Sequence, residues 1–363
     1  MMILALLCTL FSVVLILLVF LFSKKLEYKE STFKGKVSVL VAARNEEETI
    51  YACLHALMLQ ELPPKVSMEV LVGNDASSDS TAQIVEGFKQ TYPAFDLRLL
   101  PIEKQIGSAK AKANVLAHLA HEAQGNVFLF TDADVVVNPN WVAGMLSFLG
   151  ENVGIVTGVT SCYTDSMFGL IQCLDWIYSL SIVKFLSDWK QPVTAMGNNM
   201  LVTREAYFKT GGYEKLPFSI TEDFQLFHTI TGLGYSFKNA FQLNVSALTR
   251  GKSTLVDFLH QRKRWMRGAF TLPWHMKSLL FGQMLYYPAI AGLIVIYPAL
   301  GWALFFSKWV LQTLFLYEKA QTLRLKVSKF QAFWYELSFP VLGLITFVFY
   351  LLPTKVEWKG RTY

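Results

Sequence analysis

The chain opens on a run without a single charge. Residues Met2 to Phe22 hold no Asp, Glu, Lys or Arg, and about 20 such residues cross a bilayer as one helix. The pattern then changes character. Val37 to Ala42 (VSVLVA) predicts a buried strand. Glu46 to Leu59 puts Ile50, Leu54, Leu57 and Met58 on one helical face. Met68 to Gly73 predicts a second strand, and the polar turn Asn74 to Ser80 leads into a helix over Thr81 to Thr91. Leu97 to Pro101, Ser108 to Glu122 and Val127 to Phe130 continue as strand, helix and strand. Strands alternating with helices predict an α/β domain, a doubly wound and mostly parallel sheet with helices on both faces. Beyond residue 280 the apolar pattern returns. Leu285 to Tyr317 carries one charge, Lys308, and is interrupted by Pro288 and Pro298. It reads as two closely joined spans, or one span and an interfacial segment. Leu337 to Leu352 reads as a further span. The expected organisation is an N-terminal transmembrane helix (1–23), an α/β domain (35–275), a C-terminal region of two or three spans (282–352) and a basic tail (353–363).

Composition and charge refine this division. Hydrophobic residues make up 53% of the 363, too many for a wholly soluble protein and too few for a chain made only of spans. Lys24, Lys25, Lys29, Lys34 and Lys36 follow the first span, which orients the N-terminus outward and the α/β domain toward the cytosol. A cleaved signal peptide is the alternative. The positive charge stands after the apolar run rather than before it, and no small-x-small site precedes the lysines. Lys308 within a span costs about 2.5–3.5 kcal/mol unless it snorkels or finds a partner. The basic loop Lys319 to Lys329 and the tail Lys355 to Arg361 flank the last span on both sides, so charge does not orient it. The net charge of +6 sits near apolar spans, where anionic headgroups attract it. Nucleic acid is not an expected partner, since no zinc ligand set, helix-turn-helix or RNA-binding aromatic motif is present. Four cysteines, none in CxxC spacing, fit a reduced compartment without a disulfide framework or zinc site. His118 and His121 share a helix face with no evident third ligand.

The candidate chemistry lies at strand ends. Thr131-Asp132-Ala133-Asp134 follows the fourth strand, where open α/β sheets bind their ligands. Two carboxylates one residue apart offer hard oxygen ligands, which suit Mg²⁺ or Mn²⁺ sharing its shell with substrate phosphates. Asn74-Asp75 ends the second strand and Ala43-Arg44-Asn45-Glu46 the first. Asp75 is placed to accept from a base N–H; an Asx-turn or helix cap is its alternative use, for which Ser77 and Asp79 compete. Asn45 and Glu46 read first as helix caps. The first strand is not followed by G-x-G-x-x-G, so the dinucleotide fingerprint is missing.

Taken together, the segments VSVLVAARNEEETI, VLVGNDASSDST, FTDADVVV, GNNMLVTREAY, TEDFQL and QRKRW resemble family 2 glycosyltransferases, nucleotide-sugar enzymes of the GT-A type. The match covers roughly residues 36 to 270. T-E-D followed by Q-x-x-R-W resembles the membrane-attached branch, which includes ceramide glucosyltransferases, cellulose and hyaluronan synthases and bacterial lipid glycosyltransferases. The tail VEWKGRTY resembles the ends of some of these enzymes. Asn74 stands where the family often has a second Asp, a departure that touches base recognition and not the fold.

The resemblance implies roles. Asp223 in Thr221-Glu222-Asp223 would deprotonate the acceptor hydroxyl, with Glu222 beside it toward the acceptor; both also suit the first turn of a helix. Asp132 and Asp134 would hold the metal against the donor diphosphate, and Asp75 the base. Gln261 and Arg264 would add donors to the phosphates, a guanidinium fork matching phosphate oxygens. Lys112, with Asn114, resembles a donor-side pair; a solvated helix face is the alternative. Trp265 would offer a flat face to an acceptor sugar or headgroup, and Asn198, in Gly197-Asn198-Asn199, resembles the loop near donor and acceptor, a plain tight turn being the alternative. A basic interfacial helix is the competing use of QRKRWMRG. Phe258, Trp265, Met266, Phe270 and Trp274 precede the spans and would lie at the membrane surface. The implied reaction is inverting, metal-dependent sugar transfer from a nucleotide-diphosphate sugar, UDP being the commonest nucleotide, to a lipid or lipid-linked acceptor. The implied location is a bacterial inner membrane with the catalytic domain cytoplasmic. A processive polysaccharide synthase and a non-catalytic membrane scaffold are the alternatives.

Overall fold

The computed structural model describes residues 2–23, 30–269, 272, 274–353, 357–358 and 361–362. Lys24, Lys25, Lys29, Phe270, Lys355 and Lys359, used above to read topology and surface, lie outside the described residues. The chain divides into two compact units: Leu26–Tyr163 with Ser187–Arg250, and Met1–Lys25 with Thr164–Leu186 and Gly251–Tyr363.

The first unit is built on β1 (Gly35–Ala43), β2 (Val66–Asn74), β3 (Leu97–Pro101), β4 (Val127–Asp132), β5 (Val135–Val137), β6 (Val153–Thr157), β7 (Val159–Tyr163), β8 (Asn199–Thr203), β9 (Ser236–Asn239) and β10 (Ser246–Arg250). Its helices are α2 (Ile50–Met58), α3 (Thr81–Thr91), α4 (Ala111–Glu122), α5 (Trp141–Leu146), α7 (Arg204–Lys209) and α8 (Glu222–Gly232). Seven strands form one sheet in the order β3-β2-β1-β4-β8-β6-β9. β1 pairs in parallel with β2 and β4, and β2 with β3, while β8 runs antiparallel to β4 and β6. β5, β10 and β7 make a smaller second sheet. The central strands are apolar on both faces because helices cover both. Val37, Val39 and Val41 are buried on one side, and Leu40, Leu71, Phe128 and Phe130 on the other. α2 buries Ile50, Cys53, Leu54 and Leu57, the one-sided spacing that the sequence shows. α4 begins at Ala111 rather than Ser108, because Ser108 is held outside the helix: its N–H donates to Glu214 O at 2.8 Å and its hydroxyl to Leu216 O at 2.6 Å.

The second unit is mainly helical, α1 (Met2–Phe22), α6 (Met167–Asp188), α9 (Leu255–Ala269), α10 (Trp274–Ile296), α11 (Pro298–Thr322) and α12 (Lys329–Leu351), and ends in a short antiparallel pair, β11 (Glu357–Trp358) and β12 (Arg361–Thr362). Leu285 to Tyr317 is thus divided between two helices, with Pro298 at the first turn of α11, where its missing N–H costs nothing. Ser328 and Gln331 form a capping box at the start of α12. Among the described residues, α1, α6, α10, α11 and α12 are long and apolar enough to cross a bilayer. The sequence reading contains no α6. Gln172, Asp175, Ser181 and Lys184 interrupt its apolar run, and all but Asp175 are buried against the protein. The 35–275 stretch is accordingly not one unit: Thr164–Leu186 and the chain from Gly251 onward cluster with the apolar helices. Lys308 does find a partner. Its Nζ donates to both carboxylate oxygens of Glu336 at 2.6 Å, and Tyr287 OH donates to Glu336 at 3.1 Å.

Candidate active site

Strand register brings the polar strand ends to one edge. Ala43 pairs with Asn74, and Ala42 with Asp132, so the first, second and fourth strands finish side by side. Asp75 does not cap α3. Asp79 takes that work, accepting from Thr81 N at 3.0 Å and from Glu47 N at 3.0 Å, while Asn74 Oδ1 accepts from Ser77 N at 3.1 Å. Asp75 is left at the strand end beside Arg44, whose Nη1 donates to Asp75 O at 2.7 Å and lies 3.9 Å from Asp75 Oδ2. Neither Asn45 nor Glu46 caps α2 with its side chain, contrary to the sequence reading: the N-cap is Thr49, Asn45, with φ of 53°, accepts from Ser78 N at 2.9 Å, and the Glu46 carboxylate accepts from Thr49 at 3.0 Å.

Lys112 ties three motifs together. It projects from the first turn of α4, and its Nζ lies 2.5 Å from Asp132 Oδ1 and 3.4 Å from Glu222 Oε1. Burial alone would push this ammonium down, but the charges of Asp132 and Glu222, with Asp223 behind them, outweigh it and raise Lys112 above its ordinary range. Asn114, its neighbour in the sequence reading, has another use. Its amide holds the loop before α4, accepting from Ile106 N at 2.8 Å and donating to Lys104 O at 2.9 Å. His118 and His121 contact Lys104 O and Glu214 respectively and share no ligand.

Asp223 sits in the first turn of α8, where the helix dipole favours a carboxylate. Its Oδ2 accepts from Gly197 N at 2.8 Å and its Oδ1 from Phe224 N at 2.8 Å. A Cβ at position 197 would stand 2.8 Å from both Cβ and Oδ2 of Asp223, so only glycine lets the backbone approach this closely. Asn198 Oδ1 accepts from Thr160 at 3.0 Å. Asn199 is a framework residue: fully buried, it accepts from Trp141 Nε1 at 2.8 Å and donates to Val159 O and Val245 O.

Tyr213 belongs to the same neighbourhood and carries no motif signal beyond the turn Gly211-Gly212 before it. Its hydroxyl is buried without a hydrogen-bond partner. Burial above all, then Glu222, with Asp223 and Asp132 adding less, raises it well above the ordinary range.

Asp132 and Asp134 lie around Cys53, whose thiol is pushed up by burial and then by the charges of Asp134 and Asp132. Asp132 Oδ1 is buried, with Lys112 as its ion-pair partner and no hydrogen bond of good geometry. No cluster of three or more metal-ligating side chains occurs among the described residues. Two hard carboxylates without a protein cage fit a divalent cation that completes its shell with substrate phosphate and water.

The remaining sequence candidates, Gln261, Arg264 and Trp265, stand on α9 in the helical unit, each half-buried. Trp265 is contacted by Arg262, whose guanidinium lies 4.8 Å from its ring, and by Trp176, tilted at 56° with 5.3 Å between ring centroids.

The family model for glycosyl transferase family 21, which lies within the family 2 clan, matches residues 3–363. The chain belongs to that family. Being a family 21 glycosyltransferase, it shares 30% identity over 244 residues with the probable glycosyltransferase YdaM of Bacillus subtilis, covering 64% of this chain and 55% of that one. It is 26% identical over 235 residues to the poly-beta-1,6-N-acetyl-D-glucosamine synthase of Staphylococcus epidermidis, with coverage of 64% and 54%. It is 24% identical over 245 residues to the beta-monoglucosyldiacylglycerol synthase of Synechocystis, with coverage of 65% and 48%. This family 21 chain therefore spans about half the length of the curated relatives it matches. Among solved structures, the mannosyltransferase PcManGT of Pyrobaculum calidifontis, in complex with GDP-Man and Mn²⁺, superposes with a TM-score of 0.59 over 94% of this chain and 98% of that one at 18% identity. That likeness establishes the GT-A fold.

Proposed function

We propose that this glycosyltransferase transfers a sugar from a nucleotide-diphosphate donor to a lipid or lipid-linked acceptor at the membrane surface, with inversion at the anomeric carbon. The observation that carries the reading is the Lys112 bridge between Asp132 and Glu222, with Asp223 alongside. One cation gathers the D-x-D, the T-E-D and the α4 motif at the carboxyl edge of the sheet. Asp223 is the base. Two backbone N–H groups fix its carboxylate, and each carboxylate oxygen has a further lone-pair site for an acceptor hydroxyl. Attack from the side opposite the diphosphate inverts the sugar. Asp75 receives the base of the nucleotide, and Lys112 turns from Asp132 toward the donor when the donor binds. Asp134 and Asp132 would hold Mg²⁺ or Mn²⁺, which when bound neutralises charge developing on the leaving diphosphate. Gln261 and Arg264 serve the phosphates; Glu222, Asn198 and Trp265 serve the acceptor.

Two observations support a lipid acceptor: the helices able to cross a bilayer and the relative named as a glucosyldiacylglycerol synthase. We place the protein in a bacterial plasma membrane with the α/β domain cytoplasmic, from the lysines that follow the first span. The staphylococcal relative favours the second reading, a polysaccharide synthase.

The test incubates the detergent-solubilised protein with a panel of UDP- and GDP-sugars, Mn²⁺ and membrane lipid extract. The expected product is a glycolipid carrying one sugar from one donor. A long polymer would replace this reading with the synthase, and no transfer from any donor would sink both.

A further inference from the structure

α6 contains none of the motifs, yet one stripe of it grips the segment that contains Q-x-x-R-W. Gln172 exchanges two hydrogen bonds with the backbone of Lys252, each 2.9 Å, at the entry to α9. Asp175 Oδ2 lies 2.5 Å from Arg262 Nη2. Trp176 packs on Trp265. Positions 172, 175 and 176 share one helical face. Arg262 is itself sandwiched, its guanidinium 4.9 Å from Phe258 and 4.8 Å from Trp265. The other oxygen of Asp175 accepts from Tyr335 OH of α12 at 3.1 Å, so the carboxylate is held before it holds Arg262.

Arg262 is one of the two unspecified positions between Gln261 and Arg264. A helix is stiff about its axis, each residue advancing about 100°. Fixing the azimuth of position 262 therefore fixes the directions in which positions 261, 264 and 265 leave α9. The two indoles meet at 56°, a contact that allows sliding, whereas the ion pair draws Arg262 toward one fixed carboxylate.

We propose that Asp175 is a positioning residue for glycosyl transfer: through Arg262 it sets the rotation of α9 and so the presentation of Gln261, Arg264 and Trp265. This rests on the reading that those three residues serve the reaction. Asp175 touches no substrate; its effect travels through one ion pair, with Tyr335 behind it.

The test uses the full chain in nanodiscs and compares Asp175→Asn, Asp175→Glu, Tyr335→Phe and Arg264→Ala, measuring kcat, donor KM and melting temperature. Asp175→Asn is expected to lower kcat about 10- to 100-fold, the scale of a small misplacement of reacting groups, with donor KM within about threefold of wild type. Asp175→Glu recovers most of the loss, and Tyr335→Phe shows a smaller loss of the same kind. Wild-type kcat in Asp175→Asn, while Arg264→Ala is inactive, overturns the positioning role alone. Wild-type kcat in Arg264→Ala overturns the motif reading and the proposal with it. If Asp175→Asn does not fold, Tyr335→Phe decides, since it keeps both charges: an unchanged kcat there rejects the proposal, and a lowered kcat at unchanged melting temperature sustains it.

Discussion

The two units handle buried charge in opposite ways. In the sheet unit, four charged side chains from three motifs meet at the carboxyl edge of the strands, three acids and one ammonium among the described residues. That excess of negative charge is a poor way to stabilise a fold and a good way to receive a cation or a proton. In the helical unit one buried cation is matched by one acid: Lys308 meets Glu336 in a closed pair, with Tyr287 donating to the same carboxylate. Such a pair returns little net stability relative to a well-packed apolar core, yet breaking it leaves an uncompensated charge. The difference teaches where to look for chemistry: the acid-rich cluster is the candidate site, and the closed pair joins two helices.

The contrast can be broken at several points. The largest expected effect is on the unbalanced side. Chelation by EDTA should abolish turnover and added Mn²⁺ or Mg²⁺ restore it; full activity in EDTA would leave the acids at Asp132 and Asp134 without their proposed use. Asp223→Asn comes next, with turnover falling about 10²- to 10⁴-fold, the usual contribution of a general base, while nucleotide affinity measured by calorimetry stays near wild type. Gly197→Ala should lower turnover about 10- to 100-fold by pushing Asp223 off its position, visible as a kcat loss at unchanged melting temperature. On the balanced side, Glu336→Gln should destabilise by about 3–5 kcal/mol, with Lys308→Met/Glu336→Leu recovering most of that. Its readout is the melting temperature, with turnover per folded molecule unaltered. A Glu336→Gln protein that melts like wild type but turns over poorly would erase the distinction between the two units.

Legibility follows the same division. Strand ends could be read because a parallel sheet fixes them: the VSVLVA and MEVLVG runs finish level, VFLF stops two residues short, and the two residues after it carry Asp132 to the same edge. That placed Asp75 and Asp132, and the T-E-D and α4 motifs added Asp223, Glu222 and Lys112. Local competition between polar groups was less legible. Nothing in the turn Asn74 to Ser80 announced that Asp79 rather than Asp75 would take the capping bonds, and Asn114 and Asn199 turned to backbone instead of ligand. The grip of Gly197 on Asp223 could not be read at all, since it depends on the distance between two loops. In the helical unit a 3.6-residue period says which residues share a face, not which helices meet. Lys308 announced a need for a partner but not Glu336, and α6 was missed because its polar residues mask an apolar run.

Lys263, the central residue of QRKRW, donates to Phe349 O and Leu352 O at the end of α12, where Phe349 O already accepts the closing turn bond from Leu352 N. The last long helix therefore has its length measured by a side chain 89 residues earlier. Adding or removing one residue anywhere between the start of α12 and this contact would swing its terminal carbonyls by about 100° and strand the ammonium. A graft of this C-terminal anchor onto another domain must carry α9 with it, and a tag fused just after Leu352 needs a spacer that leaves those carbonyls accessible.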